Sequence, residues 1–301
     1  MKIYLDLKFK KLLPTAVALG FFNGIHKGHK EVIKAAVAKK KDGFEPSVFT
    51  FTTKSLKPEK KQKSLNIYSE STKENIIEKL GIENYICPDF LDFKEFSGDD
   101  FFKKILVGKL NAKYIFCGKD FEMGKNKIGI SEIAALSEKY NINFEIINSV
   151  TAGRKKISTT EIRKLLESGN MEEANLMLGR EYSYNPPVLK GNKIGRIIGY
   201  RTINQEFAET NIIPKFGVYK SKIKIKNRWY DGLTNIGVKP TVGSPLPISE
   251  THILAWKGRE CYGEKIEVRL LKFIRDERKF DSLELLKKQI EKDIEEVLRD
   301  G

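Results

Sequence analysis

The stretch GFFNGIHKGHKE, residues 20–31, holds two of the chain's three histidines together with three glycines and an asparagine. It follows the apolar run 16–19 and leads into VIKAA, so it is predicted to turn a strand into a helix. A helix N-terminus presents free backbone N–H groups and the positive end of the helix dipole, which together suit phosphate. His26 and His29 would add donors or cations, and the glycines would permit a tight turn and close approach of a ligand. The predicted phosphate ligands of this turn are Gly20, Asn23, Gly24, His26, Gly28 and His29.

Other uses of these residues fit the spacing less well. H-x-x-H is a metal-binding spacing, but the sequence offers no third ligand of comparable quality nearby. The dinucleotide-binding pattern G-x-G-x-x-G is absent here and in GNKIGRIIG (191–199), and no P-loop pattern G-x-x-x-x-G-K-[ST] occurs. The remaining alternative is a glycine turn that carries two surface histidines.

A second polar stretch, ISTTEIR (157–163), places hydroxyl groups at a predicted helix start and an arginine one turn further on. Such a helix start suits phosphate, because its first backbone N–H groups have no partner within the helix and the arginine donates charge-assisted hydrogen bonds. H-x-G-H at a first strand-to-helix turn, together with ISTTEIR, resembles the nucleotidyltransferases. That resemblance implies in-line attack on the α-phosphate of a nucleotide with release of pyrophosphate, and it implies His29 and Arg163 as catalytic residues. The residues of this second motif that it assigns to the ATP phosphates are Ser158, Thr159, Thr160 and Arg163.

The elements around these motifs alternate between strand and helix up to about residue 180. The strand candidates are 15–21, 47–51, 84–87, 113–117 and 143–148. The helix candidates, with apolar residues near a spacing of 3.6, are 28–40, 70–80, 98–107, 131–140 and 159–168. This alternation is typical of a doubly wound parallel sheet.

After Tyr182 the sequence becomes rich in β-type runs. NPPVLKGNK (185–193) is a connection punctuated by proline and glycine, and the strand candidates that follow show period-2 alternation. These candidates are 216–226, 229–236, 249–256 and 265–273. One long helix, 281–299, capped by Asp281 or Ser282, closes the chain. This order predicts a small antiparallel barrel with a terminal helix, and two domains that meet near residue 183.

Composition narrows the class of protein. The chain has 301 residues, of which 40% are hydrophobic and 32% charged, and no apolar run approaches the length of a membrane span. The three cysteines are far apart, which fits neither a disulfide framework nor a zinc site. The net charge of +15 is spread along the chain, so a lysine-rich solvated surface is favoured over a nucleic-acid footprint. We therefore expect a cytoplasmic protein that binds neither a membrane nor a specific nucleic acid.

Both halves of the chain resemble the bifunctional bacterial riboflavin kinase/FAD synthetase family. In the first half the resemblance lies in FCGKDFEMGKNKIG (116–129) and in RKLLESGNMEEANLMLGREY (163–182). In the second half GRIIGYRTIN (195–204) corresponds to G-R-x-x-G-F-P-T-A-N, and ETHIL (250–254) stands where the kinase carries its catalytic glutamate. The other matching segments are GVY (217–219), NIGVKPT (235–241), YG (262–263) and FIRDERKFDSLELLKKQI (273–290).

The resemblance implies an FMN adenylyltransferase domain over 1–182, with a nucleotidyltransferase-like α/β sheet, and a riboflavin kinase barrel over 183–301. Riboflavin would be phosphorylated to FMN, and FMN adenylylated to FAD, with ATP and Mg²⁺. Asp120 and Phe121 would bind flavin, and Glu250 would be the kinase base, accepting the proton of the ribityl hydroxyl. The kinase residues implied for ATP are Gly195, Gly199, Thr202 and Asn204, of which Thr202 and Asn204 would also hold Mg²⁺. The third histidine, His252, is expected to serve packing.

Three stretches depart from the family pattern. Asn23 replaces an aspartate, FTFTTKSLKP (49–58) lacks the acid and histidine of T-F-[ED]-P-H-P, and Arg201 replaces a proline. Without that proline the loop before Thr202 is less rigid or is held in another way. Two alternatives stay open: one active module beside an inactive one, or a basic nucleic-acid-binding protein on a nucleotidyltransferase-like fold. As an enzyme the chain is expected to be a monomer or a weak oligomer.

Overall fold

The computed structural model describes residues 1–53, 65–152, 155–190, 199–238, 246–257 and 259–299. Its residues form two compact units, each with its own core. The first unit comprises Met1–Leu65 and Lys73–Ser158, and the second comprises Asn66–Thr72 and Thr159–Gly301. Residues 159–182 thus pack with the second unit, whereas the boundary expected between the two functional domains lies at 182/183, and that functional boundary stays a prediction.

Strands and helices alternate as far as residue 158. In chain order they are β1 (Lys2–Tyr4), β2 (Thr15–Leu19), α1 (Lys27–Ala38), β3 (Glu45–Phe49), α2 (Glu70–Lys79), β4 (Asn84–Ile86), α3 (Gly98–Asp100), a π-helix (Phe101–Val107), β5 (Ala112–Gly118), α4 (Ile130–Lys139), β6 (Asn143–Ile147), β7 (Thr151–Ala152) and β8 (Lys155–Lys156). Short 3₁₀ turns lie at Lys39–Asp42 and Phe90–Asp92.

The first unit is built on a six-stranded sheet in the order β1-β4-β3-β2-β5-β6, and every pair in it is parallel. The chain moves outward from β2 through β3 and β4, then returns to the other side of β2 with β5 and β6. This reversal confirms the doubly wound class, and ligands of such sheets bind beyond the carboxyl ends of the strands at the reversal. All five residues of β2 are buried, because its alternate side chains enter separate cores on the two faces of the sheet.

The elements that follow residue 158 belong to the second unit. They are α5 (Thr159–Ser168), α6 (Met171–Leu178), β9 (Tyr182–Tyr184), β10 (Val188–Leu189), β11 (Thr202–Glu206), β12 (Gly217–Ile225), β13 (Arg228–Gly237), β14 (Ile248–Ile253), β15 (Glu267–Arg275) and α7 (Leu283–Arg299). The strands form one antiparallel sheet in the order β10-β11-β14-β13-β12-β15-β9. A bridge from Pro187 to Lys265 joins the β10 end to the segment that enters β15, so the sheet curls. This confirms the barrel-like fold expected of the second half.

The terminal helix α7 is fastened to the sheet by polar and apolar contacts. Ser282 Oγ accepts a hydrogen bond from the N–H of Leu285, which makes Ser282 the cap, one of the two residues expected. Arg275 of β15 donates to both carboxylate oxygens of Asp293 at 2.7–3.0 Å, and Asp293 is only 2% exposed. The apolar face of α7 packs Ile290, Ile294 and Val297 against strand residues. One face of the sheet is therefore covered by a helix.

The elements differ from expectation at several places. Six short strands of two to five residues each were not among the candidates, because so few residues give little period-2 pattern; they are β1, β7, β8, β9, β10 and β11. The candidate helix 98–107 begins with a capping box between Ser97 and Asp100 but continues as a π-helix rather than an α-helix. Helix α6 was not among the candidates. Its eight residues are too few to show a clear period in the 11 to 18 residues over which periodicity is judged. The caps at Asn170 and Gly179 that bound it were readable signals.

Candidate active sites

The turn between β2 and α1 is strained at residues that are not glycines. Phe22 and Ile25 have φ angles of 47° and 40°, a left-handed conformation that a β-branched residue such as isoleucine rarely adopts. Both side chains are buried in the core beside α1, with exposures of 1% and 0%. Packing therefore holds the strain in place, a combination that clusters at functional sites. Within this described turn the left-handed angles lie at these two residues and not at Gly20, Gly24 or Gly28.

The two imidazoles of the turn stack against each other at the start of α1. Their ring centroids lie 3.7 Å apart, and His26, the N-cap, accepts a hydrogen bond at Nδ1 from the N–H of His29 at 3.2 Å. A nitrogen that accepts carries no hydrogen, so the hydrogen of His26 lies on Nε2, which is a donor of the kind that phosphate oxygens need. A Cβ on Gly28 would come within 3.2 Å of the His26 ring. Gly28 thus lets the imidazole fold over the helix start.

The neighbouring Asn23 is buried and ties the turn to the chain further on. It is 4% exposed, and its Nδ2 donates to the carbonyl of Leu65 at 3.3 Å. The segment FTFTTKSLKP, where the sequence departs from the family pattern, lies in part outside the described residues, which stop at residue 53 and resume at residue 65.

ISTTEIR lies at the start of α5, which begins at Thr159, directly after Ser158. Ile157 and Ile162 are buried, and this burial fixes the motif against the core. Arg163 is half-buried; burial lowers the pKa of its guanidinium, and the nearby Glu167 carboxylate opposes that shift. An arginine in this setting stays protonated, because its ordinary pKa lies far above neutrality. The assignment of Thr159, Thr160 and Arg163 to ATP stays a prediction.

The first unit contains an aromatic cavity of about 210 Å³ beside the carboxyl end of β2. Gly20 of the turn lines it, and so does Phe121, one of the two predicted flavin ligands. The other, Asp120, is not among the lining residues; its Oδ2 pairs with Lys156 Nζ at 2.6 Å, and this hydrogen bond lowers the pKa of the carboxyl. The remaining lining residues are Phe49, Phe51, Phe90, Phe93, Lys94, Phe101, Glu122, Met123, Gly124, Lys125 and Lys127.

The second unit contains a larger cavity of about 330 Å³ between the sheet and α7. Thr202 of β11 and Glu250 of β14 both line it, as does His252, so the structure brings these three residues of the second half together. The ladder explains why: Thr202 lies opposite His252, two residues from Glu250 on the same strand face. The apolar residues that line the cavity are Val218, Leu233, Phe280, Leu286 and Ile290.

The other expected kinase residues have different positions. Asn204 pairs with Glu250 in the ladder and is 8% exposed, but it is not among the residues that line the cavity. Gly199 has a φ of 89°, a conformation that favours glycine. Gly195 lies outside the described residues.

Sequence reasoning missed a hydrogen-bonded pair at the cavity wall. Asn235 lies across the ladder from Glu250, and its Nδ2 donates to Glu277 Oε1 at 2.9 Å. A Cβ on Gly237 would clash with that Glu277 carboxylate, so a side chain at this position of β13 would displace it. Both partners lie in segments that carried the resemblance, NIGVKPT and FIRDERKFDSLELLKKQI, but those segments gave no sign that two residues 42 apart would pair.

His252 belongs to the cavity wall and has a specific polar contact. Its Nδ1 lies 2.8 Å from the carbonyl oxygen of Arg201. Since a carbonyl oxygen can only accept, Nδ1 donates, and a neutral ring then has its lone pair on Nε2. Burial lowers the pKa of His252, opposed by this hydrogen bond, so the ring is neutral at pH 7. Tyr200 packs edge-on against the ring, with centroids 5.1 Å apart.

Two kinds of feature are absent from the ranges of the chain that the structure describes. Within those ranges no group of three or more histidine, cysteine, aspartate and glutamate side chains has the arrangement of a metal site. No helix in the described part of the chain is long and apolar enough to cross a membrane.

Comparison with known proteins assigns both halves. Residues 8–161 match a family model described as FAD synthetase, and residues 178–299 match one described as riboflavin kinase. The bifunctional riboflavin kinase/FMN adenylyltransferase of Bacillus subtilis (strain 168) is 34% identical, over 95% of this chain and 92% of its own. The protein of the same name from Listeria monocytogenes is 36% identical, over 92% and 89%. A crystal structure described as a macrolide-efflux protein from Streptococcus pneumoniae superposes with a TM-score of 0.86 at 30% identity, covering 100% of this chain and 99% of that one.

Proposed function

Because this chain belongs to the family of bifunctional riboflavin kinase/FMN adenylyltransferases, we propose a specific set of residues for each of the two reactions. The enzyme phosphorylates riboflavin to FMN and adenylylates FMN to FAD, and ATP is the second substrate of both steps. The family resemblance drawn from the sequence is thereby confirmed. The observation that carries the residue assignment is that Thr202 and Glu250, singled out separately in the sequence, line one cavity.

The adenylyl transfer is proposed to take place at the turn between β2 and α1. A phosphate oxygen of FMN attacks the α-phosphate of ATP, a new P–O bond forms, and pyrophosphate leaves. The His26 Nε2 hydrogen and the first N–H groups of α1 would bind phosphate oxygens, and His29 would stabilise charge that develops in the transition state. Thr159, Thr160 and Arg163 are proposed as further ATP-phosphate ligands, and Arg163 would balance the charge of the leaving pyrophosphate.

We propose the aromatic cavity of the first unit as the FMN site. Six phenylalanines line it, which suits the flat apolar ring system of a flavin. Three lysines add positive charge that favours a phosphorylated flavin over riboflavin. Gly20 belongs both to the cavity lining and to the turn, so FMN bound there would have its phosphate end near the reacting groups. Phe121 fits this role directly, whereas Asp120 would act only through Lys156.

The kinase reaction is proposed for the cavity under α7. Riboflavin would lie against the apolar lining residues Val218, Leu233 and Ile290. The cavity of about 330 Å³ falls within the usual size range of small-molecule sites. Its ribityl chain would extend to Glu250, which would accept the proton of the terminal hydroxyl as that oxygen attacks the γ-phosphate. Glu250 lies on a central strand, paired with β11 and β13, which holds the carboxylate in place.

The kinase cavity offers hard oxygen donors of the kind that Mg²⁺ prefers. The Thr202 hydroxyl and the carboxylates of Glu250 and Glu277 line it, so the donor set fits this ion. Thr202 would hold Mg²⁺ together with ATP phosphate oxygens, and Asn204 is the proposed neighbour on the same face of β11. Bound Mg²⁺ would neutralise charge on the phosphates.

The proposal extends to the cellular location, the oligomeric state and the partners of the enzyme. We place the enzyme in the cytoplasm, where ATP is available, and expect a monomer or weak oligomer with no specific nucleic-acid partner. The basic charge is expected to attract ATP and FMN, both of which are anionic.

Two variants test the division of labour. His29→Ala should abolish FAD formation from FMN and leave FMN formation from riboflavin near the parent rate. Glu250→Gln should do the reverse, with kinase turnover lowered by about 10²- to 10⁴-fold, the usual effect of losing a positioned base. Glu209→Gln, at an exposed glutamate of the same unit, is the matched control and should change neither rate. Kinase turnover of Glu250→Gln close to that of the control would refute the assignment.

A further inference from the structure

We propose that His252 is a positioning residue of the kinase reaction, whose hydrogen bond to the Arg201 carbonyl fixes the backbone that presents Thr202. The inference rests on the proposed kinase function and adds a role that neither the motif ETHIL nor the cavity lining assigns. His252 would act through the loop before β11 and not on the reacting atoms.

The hydrogen bond holds a point that the sheet does not. Strand β11 begins at Thr202, and the ladder between β11 and β14 begins with the pair Thr202 and His252. The Arg201 carbonyl lies one residue outside that ladder. The His252 side chain, from that first cross-strand pair, reaches this carbonyl at 2.8 Å and extends the restraint by one peptide group. The peptide group between Arg201 and Thr202 is therefore held at both ends, by this hydrogen bond to the Arg201 carbonyl and by the ladder pairing of Thr202.

This restraint answers a specific weakness of the loop. Gly199, two residues before Arg201, has a left-handed φ of 89°, and glycine leaves the backbone conformationally free. Arg201 stands where the family pattern has a proline, so the chain lacks a residue that would lock φ by itself. A side-chain hydrogen bond to the backbone supplies order that the local sequence does not.

The proposed base Glu250 and the positioning residue His252 are carried by the same strand, β14. Glu250 and His252 are two residues apart on the same face of β14 and line the same cavity. One strand thereby carries the proposed base and, through the Arg201 carbonyl, the loop that holds the ATP phosphates. Phosphoryl transfer depends on this relative placement, because catalysis of it is mainly positioning. Tyr200, edge-on to the imidazole, limits rotation of the ring.

Three substitutions separate the donor from the ring. In His252→Asn the amide nitrogen takes the place of Nδ1 and can still donate to Arg201, whereas in His252→Gln the amide lies further out, near the position of Nε2. His252→Phe keeps a ring for Tyr200 but has no donor. The net effect of one hydrogen bond corresponds to about a 2- to 12-fold change in an equilibrium constant. We expect His252→Phe and His252→Gln to raise the kinase KM for ATP by that factor, and His252→Asn to stay nearer the parent.

The measurement is FMN formation with ATP and riboflavin varied separately, and FAD formation from FMN serves as the internal control for folding. A positioning role predicts that the KM for ATP rises more than the KM for riboflavin, with FAD formation unchanged. Equal KM values for ATP in the parent and in His252→Phe, or equal impairment of the Asn and Phe variants, would overturn the proposal. Loss of kinase turnover in Glu250→Gln at normal ATP affinity would leave the kinase assignment intact in either case.

A second measurement does not depend on the variants folding. With three histidines in the chain, ¹⁵N NMR of the parent protein can assign each neutral tautomer. His252 should carry its hydrogen on Nδ1, whereas His26 should carry it on Nε2. A His252 ring with hydrogen on Nε2 could not donate to Arg201 and would contradict the proposal.

Discussion

Removing the Asp293 carboxylate should weaken the attachment of α7 and damage riboflavin binding more than any exposed change on that helix. Asp293 receives hydrogen bonds from Arg275 at 2.7–3.0 Å and from Gln289 Nε2 at 2.8 Å. The two charged side chains are only 3% and 14% exposed. Asp293→Ala leaves the Arg275 cation buried without its counter-charge, and breaking one side of such a pair costs about 3–5 kcal/mol.

The loss should be visible in thermal unfolding. For a unit of this size, each kcal/mol of lost unfolding free energy lowers Tm by about 2–4 °C. The Tm of the second unit should therefore fall by about 6–20 °C. Asp293, Leu286 and Ile290 of α7 line the kinase cavity, so a loosened helix should also raise the KM for riboflavin. FAD formation from FMN should change less than the KM for riboflavin, because none of the residues proposed for it lies on α7 or lines the kinase cavity. The assay is calorimetry together with the two activities measured separately.

Two controls decide whether the buried charge is the cause. Glu295 lies on the same helix and pairs with Arg299 at 3.3 Å, but these side chains are 64% and 77% exposed. Glu295→Ala should therefore change the free energy of unfolding by no more than about 0.5 kcal/mol. Replacing both buried partners, Arg275→Met with Asp293→Leu, should restore most of the stability lost in Asp293→Ala, because no uncompensated charge remains. The reasoning fails if Asp293→Ala matches Glu295→Ala, or if the double variant is as unstable as Asp293→Ala.

Two further predictions concern the second unit. A fragment of residues 159–301 should unfold at a higher temperature than one of residues 183–301, because Asn175 of α6 donates to the Leu270 carbonyl and accepts from the N–H of Tyr182; equal Tm values would show that α6 adds nothing. Because the pKa of His252 is lowered in the folded protein, the unfolded chain binds more protons than the folded one below about pH 6.5. Acidification through that range should therefore lower the stability of the parent more than that of His252→Asn, as measured by calorimetry at matched salt. Parallel curves of stability against pH would contradict this.

Local sequence signals were enough to place most elements and to single out two residues that line the cavity of the second unit. Strand β2 and helix α5 follow the expected ranges closely because each is a short apolar or amphipathic run with a clear boundary. Thr202 and Glu250 line one cavity, as expected of kinase residues. These residues could be found because strand neighbours two apart share a face and because their motifs are compact in sequence.

The contacts that sequence could not supply are those set by long-range register. The pairing of Asp120 with Lys156, 36 residues away, had no signal in the sequence, and the assignment of Asp120 to flavin stays a prediction. Asn235 and Glu277 became neighbours only through the pairing of β13 with β14 and the path of the segment after β15. Strain at Phe22 and Ile25 was also invisible, because the sequence offered three glycines at which a left-handed angle would be expected instead.

That last discrepancy bears on how the turn between β2 and α1, the proposed site of adenylyl transfer, would work. A turn built from left-handed glycines would be adaptable, since glycine occupies many conformations at little cost. With Phe22 and Ile25 in those positions, the turn is held in the strained conformation, because the same side chains are only 1% and 0% exposed in the core beside α1. The glycines are then left for close approach: a Cβ on Gly28 would press on His26, and one on Gly20 would press on the Phe22 ring. Buried side chains at the strained positions and space at the glycines together hold the two imidazoles at the helix start. At the proposed site this would be the preorganisation that electrostatic catalysis requires.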